Sequence, residues 1–253
     1  MNNFKNYVKQ LNLEQLFRRL KSPKPELLAK EVTYFTIKEA RNRDKILVNY
    51  FGKNGINSLT DVICNFLLAT PSIPADADVL DVGAGTGFFT VKVYRKLRER
   101  LPKVRFYALD ATPAMLTALE KRGVGIVPFV GIAESIKGSI NEARKFFEIP
   151  HEFDAVFSTL MLHHSPEPEN VFRSIKEVLK RDGKAAIVDL CSHKFEEFKA
   201  EMGDIHMGFK SEDVYRMSQK YFSKVIIEVM EGIHCECSGR SAQLFVAFLH
   251  NGK

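Results

Sequence analysis

What this 253-residue chain lacks narrows its class before any motif is read. It has four cysteines, Cys64, Cys191, Cys235 and Cys237, too few and too scattered for a disulfide scaffold. No apolar stretch approaches about 18 residues, so a membrane-spanning helix is not expected. The opening residues, Met1-Asn2-Asn3-Phe4-Lys5, lack the charged-then-apolar layout of a secretory leader, and a cytoplasmic location is the expectation. Internal repeats and low-complexity tracts are absent. Charge of one sign is not concentrated either. The net charge is +6, but residues 1–78 hold twelve Lys/Arg against eight Asp/Glu, a surplus of four. The densest runs, Arg18-Arg19-Leu20-Lys21 and Arg41-Asn42-Arg43-Asp44-Lys45, fall where helices need a solvated face, so nucleic acid is not an expected partner. What remains is ordinary for a folded globular chain: 45% hydrophobic and 27% charged residues.

The apolar residues Tyr7, Leu11, Leu13, Leu16, Phe17 and Leu20 recur at three-and-four spacing and predict an amphipathic helix. Lys21-Ser22-Pro23-Lys24-Pro25 stops it, because proline removes a donor and disfavours a helical residue before it. Further helices are expected from about Glu26 to Phe51, where Gly52-Lys53-Asn54-Gly55 intervenes, and from Asn57 or Ser58 to Leu68. Thr70-Pro71-Ser72-Ile73-Pro74 reads as a linker. Residues 1–74 are therefore expected to form an N-terminal helical extension or cap, and 75–253 the main domain. From Asp78 strand and helix alternate, which predicts a parallel sheet with crossover helices. Strands are expected at 78–82, 104–109, 125–130, 154–159 and 184–190. A helix near Ser211–Lys220 precedes two more strand-like runs, Lys224–Glu231 and Ala242–Leu249. Ser238-Gly239-Arg240-Ser241 between them suggests a hairpin.

Residues 79–90, VLDVGAGTGFFT, carry the strongest signal. A buried-type strand runs into Gly83, Gly85 and Gly87, residues that permit positive φ and let a ligand approach main-chain N–H groups. The dinucleotide pattern G-x-G-x-x-G/A fails at Phe88, and a phosphate-binding loop would need Gly-Lys-Ser/Thr. The spacing is Asp-x-Gly-x-Gly-x-Gly. It resembles the first motif of the class I S-adenosylmethionine-dependent methyltransferases, in the small-molecule branch that includes ubiquinone-type enzymes. The resemblance implies an α/β, Rossmann-like, mostly parallel seven-stranded sheet with an antiparallel C-terminal strand. It also implies S-adenosylmethionine as cofactor and S-adenosylhomocysteine as product, with Asp81, Gly83, Ala84, Gly85 and Gly87 around the amino-acid end.

Asp110 closes the second strand, where one carboxylate can accept both vicinal ribose hydroxyls. Its bland alternative is a helix cap before Pro113. The resemblance implies Ala111 and Met115 beside the adenine, and Ala133 and Glu134 at its amino group. Ser158 and Thr159, ending the fourth strand, complete the cofactor candidates. The Asn/Asp-Pro-Pro-aromatic tetrad of enzymes that methylate nucleic-acid amines is missing; Leu162-His163-His164 stands there. His163, His164 and His193 are the catalytic candidates, since neutral imidazole is a competent base near pH 7. Asp189-x-x-x-His193 and Gly203-Asp204-x-x-x-Gly208-Phe209 resemble segments that cover the active-site mouth, which makes Asp204 and His206 acceptor-pocket candidates. His234-Cys235-Glu236-Cys237 has a thiolate spacing, but on a strand both cysteines face one side and read as packing. No metal site is expected. The leading expectation is methyl transfer to a small-molecule or lipid-like acceptor. The alternatives are a non-catalytic cofactor-binding regulatory module, or an arsenite-type or RNA methyltransferase.

Overall fold

The computed structural model describes residues 2–22, 25–34 and 37–252. The expected stop at Pro23-Lys24, and residues 35 and 36 within the second expected helix, lie outside them. The first expected helix is two, α1 (Asn2–Gln10) and α2 (Leu13–Arg19), because the Asn12 side chain accepts from the Gln15 N–H and opens a new helix. α3 (Pro25–Tyr34) and α4 (Ile37–Leu68) follow. Gly52 breaks α4 with φ +58° and ψ 175°, so the predicted interruption is present as a kink without a loop.

The alternating part runs β1 (Asp78–Val82), α5 (Phe88–Arg98), β2 (Arg105–Asp110), α6 (Pro113–Glu120), β3 (Val127–Val130), α7 (Ile136–Ala143), β4 (Phe153–Thr159), α8 (Pro168–Val178) and β5 (Leu179–Leu190). Then come α9 (Glu196–Met202), α10 (Ser211–Ser218), β6 (Lys224–Cys237) and β7 (Arg240–His250). The sheet order is β3-β2-β1-β4-β5-β7-β6. β1 to β5 pair in parallel and β7 pairs antiparallel to β5, the seven-stranded, mostly parallel architecture expected. Strand order reverses between β1 and β4. Beyond the carboxyl ends of those two strands lies the crevice where open α/β sheets bind ligands.

The largest departures from the expected boundaries are at β5 and the hairpin. β5 begins at Leu179, ahead of the expected 184, with Asp182 at φ +69° making a left-handed turn inside it. The hairpin strands run to Cys237 and from Arg240, leaving only Ser238 and Gly239 between them. Both take positive φ (47° and 74°), as a tight two-residue turn requires.

The N-terminal helices share one hydrophobic core with the sheet. Tyr7 shows why they stay. Its hydroxyl accepts from the Val130 N–H (3.0 Å) and donates to the Val130 carbonyl (3.4 Å), covering edge strand β3. At the C-terminal end of α4, buried Lys184 donates to the Phe66 and Ala69 carbonyls (3.1 and 2.8 Å). The basic run at 18–21 goes partly into ion pairs: Arg18 with Glu14 and Glu26, Arg19 with Glu142.

Candidate functional site

β1 delivers the chain into a turn with Gly83, Gly85 and Gly87 at φ +78°, +54° and +74°. The three glycines serve different ends. A Cβ on Gly83 would lie 2.2 Å from Met161 Cγ, and one on Gly87 2.3 Å from Leu119 Cδ1; one on Gly85 would meet nothing within 4 Å. Gly83 and Gly87 thus allow close packing, whereas Gly85 faces open space. Four of the turn's N–H groups bond within the protein. Gly83 and Ala84 donate to the Leu109 carbonyl (2.8 and 3.0 Å), Gly87 to the Ala84 carbonyl, and Gly85 to Asp110 Oδ2 (2.8 Å). The other Asp110 oxygen accepts from the Thr112 N–H (2.8 Å), so the helix-cap reading of Asp110 is also realised. Burial pushes its pKa up, against the backbone bonds to Thr112 and Gly85.

Asp81 is buried beneath the turn and accepts from the Thr90 hydroxyl (2.6 Å). Burial raises its pKa to about 7; Thr90 works against the shift and the Asp110 charge adds to it. Ala111 packs partly buried on the core, and Met115 and Ala133 are buried. Glu134, raised in pKa chiefly by burial, accepts from the Ser165 hydroxyl (2.5 Å). Ser158 gives its hydroxyl to the Val82 carbonyl (2.7 Å), holding β4 to β1 below the turn, and the Thr159 hydroxyl is buried without a partner.

Beyond β4 a 3-10 turn, Leu162–His164, packs under the segment after β5. His163 is fully buried, its Nδ1 2.6 Å from Asp189 Oδ1. Asp189 also accepts from the Leu162 and Leu190 N–H groups (2.8 and 2.7 Å). Burial pulls the His163 pKa down, but the charge and hydrogen bond of Asp189, with Asp204 beyond, leave it above the ordinary value. His164 lies with its ring centroid 4.2 Å from that of His163. Its pKa is well below normal, from burial, then the charges of His163 and Arg43, against a bond to the Gly203 backbone.

The return segment hooks onto this turn, since the Ile205 and His206 N–H groups both donate to the His163 carbonyl (3.2 and 3.0 Å). That places Asp204, 2% exposed, against His163, Nε2 to Oδ1 3.4 Å. His206 Nε2 bonds the Ser165 carbonyl (2.9 Å), joining this end to Glu134. His193 stands beside Phe195 and Phe198; its Nδ1 accepts from the Phe195 N–H (3.3 Å), which puts the ring proton on Nε2. Burial, then the nearby His163 charge, lowers its pKa.

Among the described residues, Cys235 and Cys237 make no hydrogen bond to the histidines. Cys235 and Cys237 are buried on one side of β6, and Cys237 bonds Glu201 (3.2 Å). Burial raises both thiol pKa values, that of Cys237 to about 12, which disfavours thiolate ligation.

Two contributors escaped the sequence reading. Asp189 was visible only as part of a spacing pattern. Asp44 was hidden in a basic run taken for solvated surface. It accepts from the Thr86 hydroxyl (2.7 Å) and pairs with Arg122 (2.6 Å), which itself donates to the Thr86 carbonyl (2.8 Å). α4 is thereby latched onto the glycine turn, and the charge of its neighbour Arg43 reaches Asp110, His163, His164 and Asp204.

A seven-stranded sheet with a glycine turn above an acid from β2 is the arrangement that the resemblance to S-adenosylmethionine-dependent methyltransferases implies. Residues 80–187 match the family described as a methyltransferase domain. It is similar to a malonyl-[acyl-carrier protein] O-methyltransferase from Acetivibrio thermocellus, 25% identical over 202 residues covering 75% of this chain and 66% of the relative. It is also similar to a biotin biosynthesis bifunctional protein from Teredinibacter turnerae, 26% identical over 133 residues, 52% of this chain and 22% of the relative. The chain therefore spans under two thirds of either curated relative. In fold it resembles Haemonchus contortus phosphoethanolamine N-methyltransferase 2 in complex with S-adenosyl-L-methionine (TM-score 0.62, 15% identity, 87% of this chain and 58% of that one). The residues present fit the cofactor: Gly85 leaves a cradle that any side chain would fill, and the Asp110 carboxylate lies at that glycine.

Proposed function

We propose that the protein transfers a methyl group to a small-molecule acceptor held beyond the carboxyl ends of β4 and β5. The observation that carries the reading is the bond from the Gly85 N–H to Asp110, which sets the ribose-type acid of β2 against the open glycine of β1. S-adenosylmethionine, when bound, supplies a methyl group activated on a sulfonium. Asp110 would hold the ribose hydroxyls, Asp81 the ammonium end, and Ala111, Met115, Ala133 and Glu134 the adenine. The protein's main task is alignment, because in-line displacement at a sulfonium carbon needs little else. His193, with its proton on Nε2, serves as a hydrogen-bond donor to the acceptor and not as its base. Removing an acceptor proton falls to the group formed by His163, His164 and Asp204, with His206 anchoring the segment that carries Asp204.

Calorimetry with S-adenosylmethionine and S-adenosylhomocysteine, followed by label transfer from the tritiated methyl donor to acceptor pools, tests the reading. Binding of neither compound would end it. Binding without transfer to any small molecule would leave a regulatory module, and label in RNA would redirect the proposal.

The raised pKa of Asp81 gives a pH signature. In the free protein Asp81 is protonated below about pH 7, with Asp110 and Thr90 facing it. A cationic ligand end favours the ionised form, so cofactor affinity should rise as pH increases through about 7 and level off above it. Proton release on binding should be measurable at pH 6 in buffers of different ionisation heat. Asp81→Asn should flatten the profile; an unchanged slope would remove Asp81 from the site.

A further inference from the structure

We infer that His163, His164 and Asp204 form a site for one divalent transition-metal ion of the zinc class at the carboxyl edge of the sheet. One ligand atom from each lies within 4.8 Å of the others. Two of the three side chains are almost wholly buried, yet His163 Nε2 and both Asp204 oxygens have no hydrogen-bond partner. Buried polar atoms left so are costly and need an occupant.

The hydrogen-bond geometry points to a cation. Asp189 takes the Nδ1–H of His163, so in the neutral ring Nε2 presents a lone pair to the Asp204 carboxylate. Asp189 and Asp204 carry two negative charges into a space that Arg43 reaches with one positive charge. A proton on Nε2 would supply another, but the 3.4 Å separation is long for that hydrogen bond, and the second Asp204 oxygen and His164 would gain nothing. A metal fits the separation: two bonds of about 2.0–2.1 Å at a tetrahedral angle set their ligand atoms about 3.3 Å apart. His164, half-buried at the end of the turn, needs only a modest ring movement to join them.

Both imidazoles have the outer partner that metal-bound histidines use: Asp189 for His163 and the Gly203 backbone for His164. Two imidazoles and one carboxylate select zinc and its late first-row neighbours over Mg2+ or Ca2+. Three protein ligands leave a position open. On the proposed function, an acceptor oxygen or sulfur taken up there would release its proton to solvent at neutral pH, which is how the group of His163, His164 and Asp204 would serve the transfer. That role rests on the proposed function; the site does not. No metal was expected from the sequence because the ligands come from segments about forty residues apart that only the hook of 205–206 onto His163 brings together.

The test uses untagged full-length protein stripped with a chelator and titrated with Zn2+, Co2+ and Mg2+. The expected result is one Zn2+ per chain, Co2+ absorption typical of a low-coordinate nitrogen–oxygen site, and no comparable Mg2+ binding. Asp204→Asn and the more exposed His164→Gln should each weaken Zn2+ binding at least tenfold, with cofactor affinity on the same samples reporting that the fold persists. Absence of stoichiometric Zn2+ binding, or equal Zn2+ affinity in wild type and both variants, overturns the site. If Zn2+ binds as described but no acceptor is methylated, the proposed function fails and the metal site stands.

Discussion

Asp189→Ala is expected to destabilise the protein by about 3–5 kcal/mol, lowering the urea midpoint without changing the slope. The carboxylate is fully buried and is the acceptor for Leu162 N–H, Leu190 N–H and His163 Nδ1. Alanine strands all three donors where no water reaches them, and each unsatisfied group costs roughly 1–3 kcal/mol. Asp189→Asn should cost less, because its oxygen at the Oδ1 position still accepts from His163 Nδ1 and the Leu190 N–H, and only the Leu162 N–H is left facing the amide nitrogen. Asparagine should therefore leave a folded protein with a disturbed 162–164 turn. A loss below about 1 kcal/mol for alanine would show that Asp189 is not the post that holds this turn.

The parts of the fold that were legible in the sequence are those where local pattern and tertiary role coincide. β1 reads as a buried strand because all five residues are buried, and the glycine turn is legible because positive φ is written in residue type. Boundaries failed where a neighbour overrode local preference: Asp182 adopted the left-handed turn while Gly183 stayed extended, and β5 started early. Asn12 split a continuous apolar stripe that reads as one helix, because capping is invisible to periodicity.

The acceptor side was legible only as a set of residue types. His163, His164, Asp204 and His206 could be named, but not their partners. Asp204 meets His163 through backbone bonds from 205 and 206 to a carbonyl. Carbonyls leave no trace in a sequence. Asp44 failed for the opposite reason: surrounded by Arg41, Arg43 and Lys45, it had every mark of surface charge, yet it pairs with Arg122 and Thr86. Charge patterning records what a helix face can tolerate, not which member of the run is used.

The glycine turn offers the largest contrast between two nearly identical substitutions. Gly83→Ala should lower stability by about 2–5 kcal/mol: alanine at φ +78° costs roughly 1–2 kcal/mol, and overpacking against Met161 adds about 1–3. Met161 cannot yield freely, because the clash reaches its Cβ (2.5 Å) as well as its Cγ, and its own backbone starts the turn that carries His163 and His164. Damage at the cofactor end should therefore reach the acceptor end, and metal and cofactor affinities should fall together. Gly85→Ala meets no neighbour within 4 Å, so its stability cost should stop at about 1–2 kcal/mol from backbone strain alone. Its new methyl group, however, enters the space that the proposed function gives to the cofactor, and cofactor affinity should then fall at least tenfold in a protein that still folds and still binds Zn2+. Thermal unfolding and calorimetry on the two variants separate these outcomes. If Gly85→Ala binds cofactor normally, the open face of that residue is not where the ligand lies, and Asp110 loses its claim to the ribose with it.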